Sequence, residues 1–341
     1  MNSNANGGMK KILNAVSGAG PIVAVIALAV VLTIVTEKFM TIDNWMNILR
    51  QTAVNSLIAV GMLLVLLTAG IDLSVGSICA LSSCIMGALM REAGVNNVFI
   101  LIVICIGSGA MCGLINGLLY TKLRLPHPFI ATLGTMQIYR GLAQIVSKAS
   151  PITGFPDGVL ALGFNSIGKI GFPVCFIVVV IVFVVFSFLL NQTKLGKEIY
   201  AVGGNEDAAK VSGIKVQNVK LFVYIIAGLL AGFAALVLTG RVSTALPTTG
   251  EEYAMDAIAS CVIGGASFNG GKGTISGTFV GALFIQIIRN GLNLLGAQSD
   301  VQKVIIGAVV ILAVVIDVRR DMSAEKSKRM ALAKAHKENA N

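Results

Sequence analysis

Long apolar runs separated by short polar segments make up most of this chain. A membrane-spanning helix needs about 20 mostly apolar residues, and ten runs approach that length. They cover residues 20–36, 53–70, 74–90, 97–120, 128–147, 172–190, 218–240, 254–268, 274–295 and 301–317. Residues 40–50 alternate with a helical period, which predicts a short interfacial helix before the second run. The pattern predicts an all-α polytopic membrane protein with about ten transmembrane helices.

Two polar, glycine-rich segments interrupt this pattern. TAGIDLSVGS at 68–77 joins two runs, and Gly264 to Gly273 follows a run that is short for a full span. Irregular backbone at membrane depth is tolerated where it lines a cavity or is covered by protein. We therefore expect broken or re-entrant helices at both places.

Composition and charge support the membrane assignment. The 341 residues are 55% hydrophobic and only 12% charged, whereas soluble domains carry about 25% charged residues. That excludes a soluble enzyme, a disordered chain and a conventional nucleic-acid-binding surface. About two thirds of the 26 lysine and arginine residues fall on one side if the amino terminus is cytoplasmic. We expect a cytoplasmic segment at 1–19, a transmembrane domain at 20–318, a cytoplasmic polar tail at 319–341, and a first span that is retained.

The sequence contains little that supports a metal site, a redox site or a nucleotide site. The six cysteines lie inside apolar runs without CxxC spacing, so we expect small buried hydrophobes, no disulfide and no zinc site. His127, in Pro-His-Pro, is expected to be structural. The glycine-rich stretch fails the P-loop pattern, because Ala266 replaces its first glycine and Gly273 follows Lys272. No catalytic, metal or cofactor residues are predicted.

Polar residues beside the spans are candidates for a solute pathway. Those in or beside the second and third runs are Asn55, Ser56, Asp72, Ser74 and Ser77. For Asp72, capping of the third span is at least as well supported as contact with a solute. Candidates for the outer face or a gate are Glu251, Glu252 and Asp256. Arg140 and Arg289 lie within runs and are expected to extend to the outer interface, with pore lining as the alternative.

The longest polar loop between spans, residues 193–216, carries start and stop signals for a short helix. Gly203 and Gly204 break the chain, Asn205 can cap a helix, and Gly213 can end it. Ordered signals of this kind favour a docking element for a cytoplasmic partner over a solvated loop. The residues assigned to it are Gly203, Gly204, Asn205, Glu206, Ala208, Ala209, Ser212 and Gly213.

Similar residues recur at corresponding places in the two halves of the chain. Asp72 and Asp256 each begin a run, and Asn-Gly-Leu closes two others at 116–118 and 290–292. Such pairs fit a five-plus-five inverted repeat, with chance matching of common residues as the alternative.

GxxxG spacings at Gly109-Gly113-Gly117, Gly228-Gly232 and Gly277-Gly281 predict close packing of neighbouring helices.

Three segments carry a family resemblance. GIDLSVGS, AVGGNEDAAKVSGIKV and DAIASCVIGGASFNGGKGT resemble signature stretches of the ribose/galactose-type sugar permeases of bacterial ABC importers, and the similarity runs from about residue 40 to 318. It implies a subunit of the bacterial inner membrane that pairs with a second copy. It also implies a cytoplasmic ATPase that binds Mg-ATP and an extracytoplasmic sugar-binding protein. Residues 203–213 would be the coupling helix that docks on the ATPase. Ribose, galactose, allose and xylose all remain open as substrates.

Two other functional classes are weighed against this assignment. An ion-coupled secondary transporter generally needs acidic residues near the membrane midplane, and only Asp72 and Asp256 are candidates, both near span ends. An integral membrane enzyme would require a cluster of chemically active side chains, and the sequence contains none. Because one chain has few polar residues in its spans, we expect the pathway to form between two copies.

Overall fold

The computed structural model describes residues 20–123, 125 and 127–338. Contacts divide the chain into one unit that ends at Gly296 and a second that begins at Ala297. The helices are α1 Gly20–Val35, α2 Ile42–Leu67, α3 Val75–Ala93, α4 Val98–Thr121, α5 Pro128–Ser147, α6 Asp157–Phe164, α7 Val174–Gln192, α8 Lys194–Gly204, α9 Glu206–Val211, α10 Val216–Val242, α11 Tyr253–Ile263, α12 Ile275–Leu294 and α13 Ser299–Glu338. The short strands are β1 Ile152–Thr153, β2 Ser166–Ile167, β3 Phe172–Pro173 and β4 Thr244–Ala245.

Six of the described helices are long and apolar enough to cross a membrane: α2, α3, α4, α7, α10 and α12. An all-α polytopic membrane protein is therefore confirmed, whereas the number ten stays a prediction. Helices α1 and α11 have only 16 and 11 residues. The short α11 occupies the run that was expected to be partial or re-entrant.

Helix α2 occupies the centre of the first unit. Every residue from Thr52 to Leu67 is buried, and α2 packs against α10, α11 and α12. The predicted separate helix at 40–50 is wrong, because residues 42–50 form the first turns of α2. Neither glycine nor proline interrupts the chain between Ile42 and Val60, so nothing ends the helix. At about 1.5 Å per residue, α2 is about 39 Å long, which exceeds the hydrocarbon core of a bilayer.

Helices α4 and α10 meet along a seam of glycines, as the GxxxG spacings predict. A Cβ atom on Gly109 would lie 2.8 Å from the Cα atom of Gly232, and one on Gly113 would lie 3.1 Å from the Cα atom of Gly228. Larger residues would therefore separate the helices. The second predicted seam is also present, since Gly281 of α12 packs on the backbone of Ser260 in α11.

Short strands and capping residues organise the connections. Strand β1 pairs antiparallel with β4, which ties the segment after α5 to the segment after α10. Strands β2 and β3 form a second antiparallel pair before α7. His127 has the expected structural role, because its Nδ1 atom accepts the backbone N–H of Phe129 at 3.3 Å where α5 begins. The six cysteine side chains are buried, as expected for small hydrophobes.

The second unit consists mainly of α13, a helix of 40 residues. It contains the predicted run 301–317 and continues without a break into the polar tail. The proposed boundary at 318 is therefore not marked by a change of secondary structure. The predicted segment 1–19 lies outside the described residues.

Candidate functional site

The predicted docking helix is present as α9. The Asn205 Oδ1 atom accepts the backbone N–H of Ala208 at 2.9 Å and so caps the helix. Gly213 follows its end with φ of +83°, a left-handed conformation that glycine adopts without strain. Both the start signal and the stop signal read from the sequence are confirmed.

A second helix, α8, precedes the docking helix and was missed in the sequence. Thr193 caps α8, because its Oγ1 atom accepts the backbone N–H of Gly196 at 3.1 Å. Ile199 and Val202 are buried on one side of α8. The signal was present as a threonine followed by apolar residues at helical spacing, but the polar composition of the loop obscured it. Gly203 and Gly204 are the last residues of α8, and the chain turns at Asn205.

Gly203 lies where three chain segments meet. A Cβ atom on it would overlap the carbonyl oxygen of Leu67 and would lie 2.6 Å from the backbone nitrogen of Gly271. The Gly271 N–H also donates to the Leu67 carbonyl at 3.0 Å. The predicted docking glycines therefore differ in role: Gly203 packs inside its own chain, and Gly204 is exposed.

The outward surface of α9 combines small and apolar side chains with the exposed charges of Asp207 and Lys210. Ala208 and Ser212 are exposed, and Val211 is 90% exposed. Ala209, in contrast, is only 4% exposed although it was assigned to the docking element. Val211 lies within the predicted segment 203–213, and its spacing of three from Ala208 places both on one helix face.

Glu206 anchors α9 to the rest of the chain. Its Oε2 atom lies 2.6 Å from the Nζ atom of Lys220 in α10, and its Oε1 atom lies 2.8 Å from the Nζ atom of Lys210. Partial burial acts to raise the pKa of Glu206, but the hydrogen bonds from Lys210 and Lys220 outweigh it and hold the pKa below its ordinary value. The carboxylate therefore stays ionised at neutral pH and ties α9 to α10.

The helix break at 68–74 is built around Asp72, which is fully buried. Its Oδ1 atom accepts the Ser74 N–H at 2.8 Å and the Ser74 hydroxyl at 2.7 Å. The Asn116 side-chain amide donates to the Oδ2 atom at 3.2 Å. Ser74, not Asp72, is the N-cap of α3, so the expectation that Asp72 itself caps this helix is wrong. Asp72 instead fixes the cap residue.

None of the five predicted pathway residues lies on the surface in this conformation. Asn55 and Ser77 are 2% and 1% exposed, and Ser56, Asp72 and Ser74 are fully buried. Several buried side-chain oxygens of α2, α3 and α12 have no hydrogen-bond partner within the described part of the chain. They belong to Thr52, Asn55, Ser56, Ser77, Ser82 and Thr278. Unsatisfied buried polar atoms are costly, so this region is suited to take up water or a polar solute if helices separate.

The outer-face candidates divide into a buried ion pair and an exposed carboxylate. The Arg289 guanidinium of α12 donates to both Asp256 oxygens, with the Nε atom at 3.1 Å and the Nη2 atom at 2.9 Å. Its Nη2 atom also lies 2.6 Å from Glu252. Glu251 is exposed. Arg289 is therefore held between α11 and α12 by Asp256 and Glu252. Its extension to the outer interface stays a prediction.

Arg140 is held in a similar way. Its Nη1 atom donates to the carbonyl oxygens of Pro247 and Thr249, each at 2.6 Å. The side chain fixes the loop before α11, and its extension to the outer interface stays a prediction. A guanidinium can satisfy several acceptors at once, which suits it to this role.

Helix α5 presents at its surface two glutamines and two glycines among apolar side chains such as Ile138 and Ile145. Gln137 and Gln144 are exposed, and hypothetical Cβ atoms on Gly134 and Gly141 would meet nothing within 4 Å. The two glutamines are seven residues apart, or about two helical turns, so they share a face. The sequence contains this spacing, which could have predicted that the two glutamines share one helix face. Exposed amides are unfavourable against lipid, so this face needs water or another protein.

Similarity to known proteins agrees with the sequence resemblance. A family model described as the permease component of branched-chain amino acid transport systems matches residues 44–314. The ribose import permease of Bacillus subtilis strain 168 is 46% identical over 301 residues, covering 87% of this chain and 92% of that protein. The galactose/methyl galactoside import permease of Escherichia coli K12 is 35% identical, covering 90% of this chain and 96% of that protein.

The D-allose transport system permease of Escherichia coli K12 is also similar, at 42% identity over 82% of this chain and 85% of that protein. No solved structure matches the chain. The family match covers most of the sequence and includes the helix break, the docking helix and the buried ion pair. This chain therefore belongs to the family of transport-system permease components.

Proposed function

We propose that this chain is the membrane permease subunit of an ABC importer and forms the translocation pathway for a monosaccharide, ribose or a related pentose or hexose. The observation that carries the proposal is the 46% identity to a ribose import permease over 92% of that protein. The allose and galactose permeases are similar at lower identity, 42% and 35%. In this proposal an extracytoplasmic binding protein delivers the sugar.

The energy source is a separate cytoplasmic ATPase that binds Mg-ATP and docks on α9. This part is supported by the failed P-loop pattern at Gly270 to Thr274. It is also supported by Val211, a branched apolar side chain left 90% exposed on a helix capped at both ends. Exposed apolar groups on a rigid element favour a protein partner. The chain itself is then not an enzyme and holds no cofactor of its own.

The pathway forms between two copies of the chain. The exposed glutamines of α5 support this arrangement, because α5 has 20 residues yet is not among the six helices apolar enough to cross a membrane. Its exposed face would line the water-filled space between the copies. The buried candidates near Asn55 and Asp72 would join that space when the helices separate.

The proposed topology has ten spans with both termini in the bacterial cytoplasm. Its support is the excess of lysine and arginine on the inner segments, and it places α9 on the cytoplasmic side. The proposed division is 1–19, 20–318 and 319–341. A five-plus-five inverted repeat would relate the helix break near Asp72 to α11 near Asp256.

Ion-coupled transport by this chain alone is the alternative from the sequence, and the buried carboxylates argue against it. Asp72 accepts hydrogen bonds from Ser74 and Asn116, and Asp256 is paired with Arg289. A coupling carboxylate has to exchange an ion during each cycle. Both carboxylates are instead held by fixed donors.

Uptake by proteoliposomes tests the proposal. Vesicles should contain the chain with the ATPase and the binding protein encoded beside it, and labelled ribose uptake should require ATP inside. Competition by excess galactose or allose measures how many sugars the importer accepts. Uptake of labelled leucine tests the branched-chain amino acids that the family description names. Ribose uptake without ATP would support a secondary transporter, and ATP-dependent uptake of leucine but not ribose would contradict the sugar assignment.

A further inference from the structure

A cleft of about 560 Å³ opens between α9 and the start of α10, and Lys220 lies in its wall. The Lys220 side chain is only 9% exposed although it carries an ammonium group. That group donates to Glu206 Oε2 at 2.6 Å and to the Tyr120 hydroxyl at 3.0 Å. Burying a charge is tolerated when it is paired. A movement of α9 therefore either pulls Lys220 with it or leaves a buried charge unpaired.

From Tyr120 the contacts continue to the helix break. The Tyr120 ring packs edge-on against Tyr224, with ring centroids 6.0 Å apart. Tyr224 is fully buried, and its hydroxyl donates to the carbonyl oxygen of Ile71 at 3.2 Å. Ile71 directly precedes Asp72, which fixes the start of α3. An unbroken series of contacts thus joins the docking helix to segment 68–74.

We propose that Lys220 is a positioning residue that transmits displacement of α9 through Tyr120 and Tyr224 to segment 68–74. The ion pair with Glu206 resists separation of α9 from α10. The Tyr224 hydroxyl holds the Ile71 carbonyl together with the Thr132 hydroxyl, which donates to it at 3.3 Å. The inference rests on the proposed function, since it takes α9 as the docking surface for the ATPase. Contact alone does not establish coupling, so the energetic dependence has to be measured.

Hydrogen exchange on the purified permease tests the relay without the ATPase. Lys220→Met keeps the length of the side chain and leaves Glu206 paired with Lys210. Tyr224→Phe removes only the hydroxyl. Each variant should speed exchange of the Ser74 amide, which donates to Asp72 Oδ1 at 2.8 Å, by about tenfold. The reason is that segment 68–74 is then held through Ile71 by the Thr132 hydroxyl without the full support of Tyr224. The matched control is Lys210→Met, which removes the exposed partner of the same carboxylate and should leave exchange within about twofold.

A double substitution separates a relay from two independent effects. If Lys220 acts through Tyr224, Lys220→Met combined with Tyr224→Phe should exchange no faster than Tyr224→Phe alone. Additive effects of the two substitutions would overturn the proposal. Unchanged exchange in both single variants would overturn it as well.

Transport by the reconstituted importer supplies the functional readout. Lys220→Met should still copurify with the ATPase and hydrolyse ATP, but should carry about tenfold less sugar per ATP hydrolysed, because displacement of α9 no longer reaches segment 68–74. Wild-type stoichiometry would overturn the relay, and so would loss of ATPase binding, because Lys220 would then only shape the docking surface. Ala208→Arg tests docking separately. If this variant still copurifies with the ATPase, α9 is not the docking site. The hydrogen-exchange test of the relay uses the permease alone and does not depend on that result.

Discussion

At the scale of single residues, the ion pair between Arg289 and Asp256 shows how this chain carries charge among apolar helices. Asp256 is 2% exposed and receives two hydrogen bonds from one guanidinium. The planar fork of arginine matches a carboxylate, whereas lysine would offer a single point charge. Removing one partner of such a pair leaves an unpaired buried charge, so the two side chains are expected to be mutually dependent.

We predict that Arg289→Gln lowers the free energy of unfolding by about 3–5 kcal/mol, because it leaves Asp256 buried without its cation. The midpoint of thermal unfolding in detergent measures the effect. Adding Asp256→Asn should restore most of the lost stability. Arg91→Gln is the control, since Arg91 and its partner Glu92 are solvent-exposed, and the expected loss is about 0–1 kcal/mol. Equal losses at Arg91 and Arg289 would contradict the prediction.

Residue roles that depend on near neighbours in sequence were predictable, and those that depend on distant partners were not. Asn205 caps a helix through Ala208, and Gly213 ends it within one turn. Arg289 meets a carboxylate 33 positions away, and no local pattern encodes that pairing. The sequence therefore did not reveal which carboxylates bind Arg289.

At the scale of helices, the glycine seam between α4 and α10 offers a matched comparison within one helix. Gly113 packs against Gly228, whereas a Cβ atom on Gly107 would meet nothing within 4 Å. Gly113→Ala should destabilise the protein by about 1–3 kcal/mol, because the two helices must separate. Gly107→Ala should be neutral or stabilise α4 by about 0.5–1 kcal/mol. Thermal unfolding of both variants checks this, and similar behaviour of the two would show that the seam tolerates a methyl group.

The attachment of α9 should depend on pH through Glu206. The pKa of Glu206 is lower in the folded chain than its ordinary value of 4.5. Its ion pairs therefore stabilise α9 at pH above that value, and the stabilisation is lost as the pH falls through the lowered pKa. Proteolysis of the loop at 193–216 should accelerate on acidification below about pH 4.5. Glu206→Gln should be cleaved at a rate that no longer changes over this range. A wild-type rate independent of pH would show that Lys220 and Lys210 do not hold the helix.

Span length and clear capping signals decided which helices could be predicted. The long apolar helices α4, α7, α10 and α12 lie close to their predicted runs, because a membrane span has both a minimum length and a composition. The eight-residue α6 and the eleven-residue α8 were missed. Both are stabilised by packing on neighbouring helices, and such contacts leave a weak pattern in sequence.

At the scale of the whole molecule, the exposed face of α5 decides where a hydrophilic pathway can run. Its glutamines Gln137 and Gln144 face outward, whereas α7, which is similar in length, exposes only apolar side chains near its middle, including Val184 at 66%. If two copies enclose a pathway, the exposed face of α5 meets water and that of α7 meets lipid. Cysteines at Gln137 and Val184, each near the middle of its helix, distinguish these surroundings, and Gln144 tests the same face nearer the end of α5.

We predict that Gln137→Cys and Gln144→Cys react with a charged, membrane-impermeant thiol reagent at least about tenfold faster than Val184→Cys, because the attacking thiolate forms in water and not in lipid. The six native cysteines are buried, so their background labelling should be low. Labelling is measured on the assembled importer in membranes, where the proposed second copy would be present. If all three introduced cysteines react equally slowly, the exposed face of α5 lies in lipid. The pathway would then have to run inside one chain, along the buried oxygens of Ser56 and Ser77, and would open only when α2 and α3 separate.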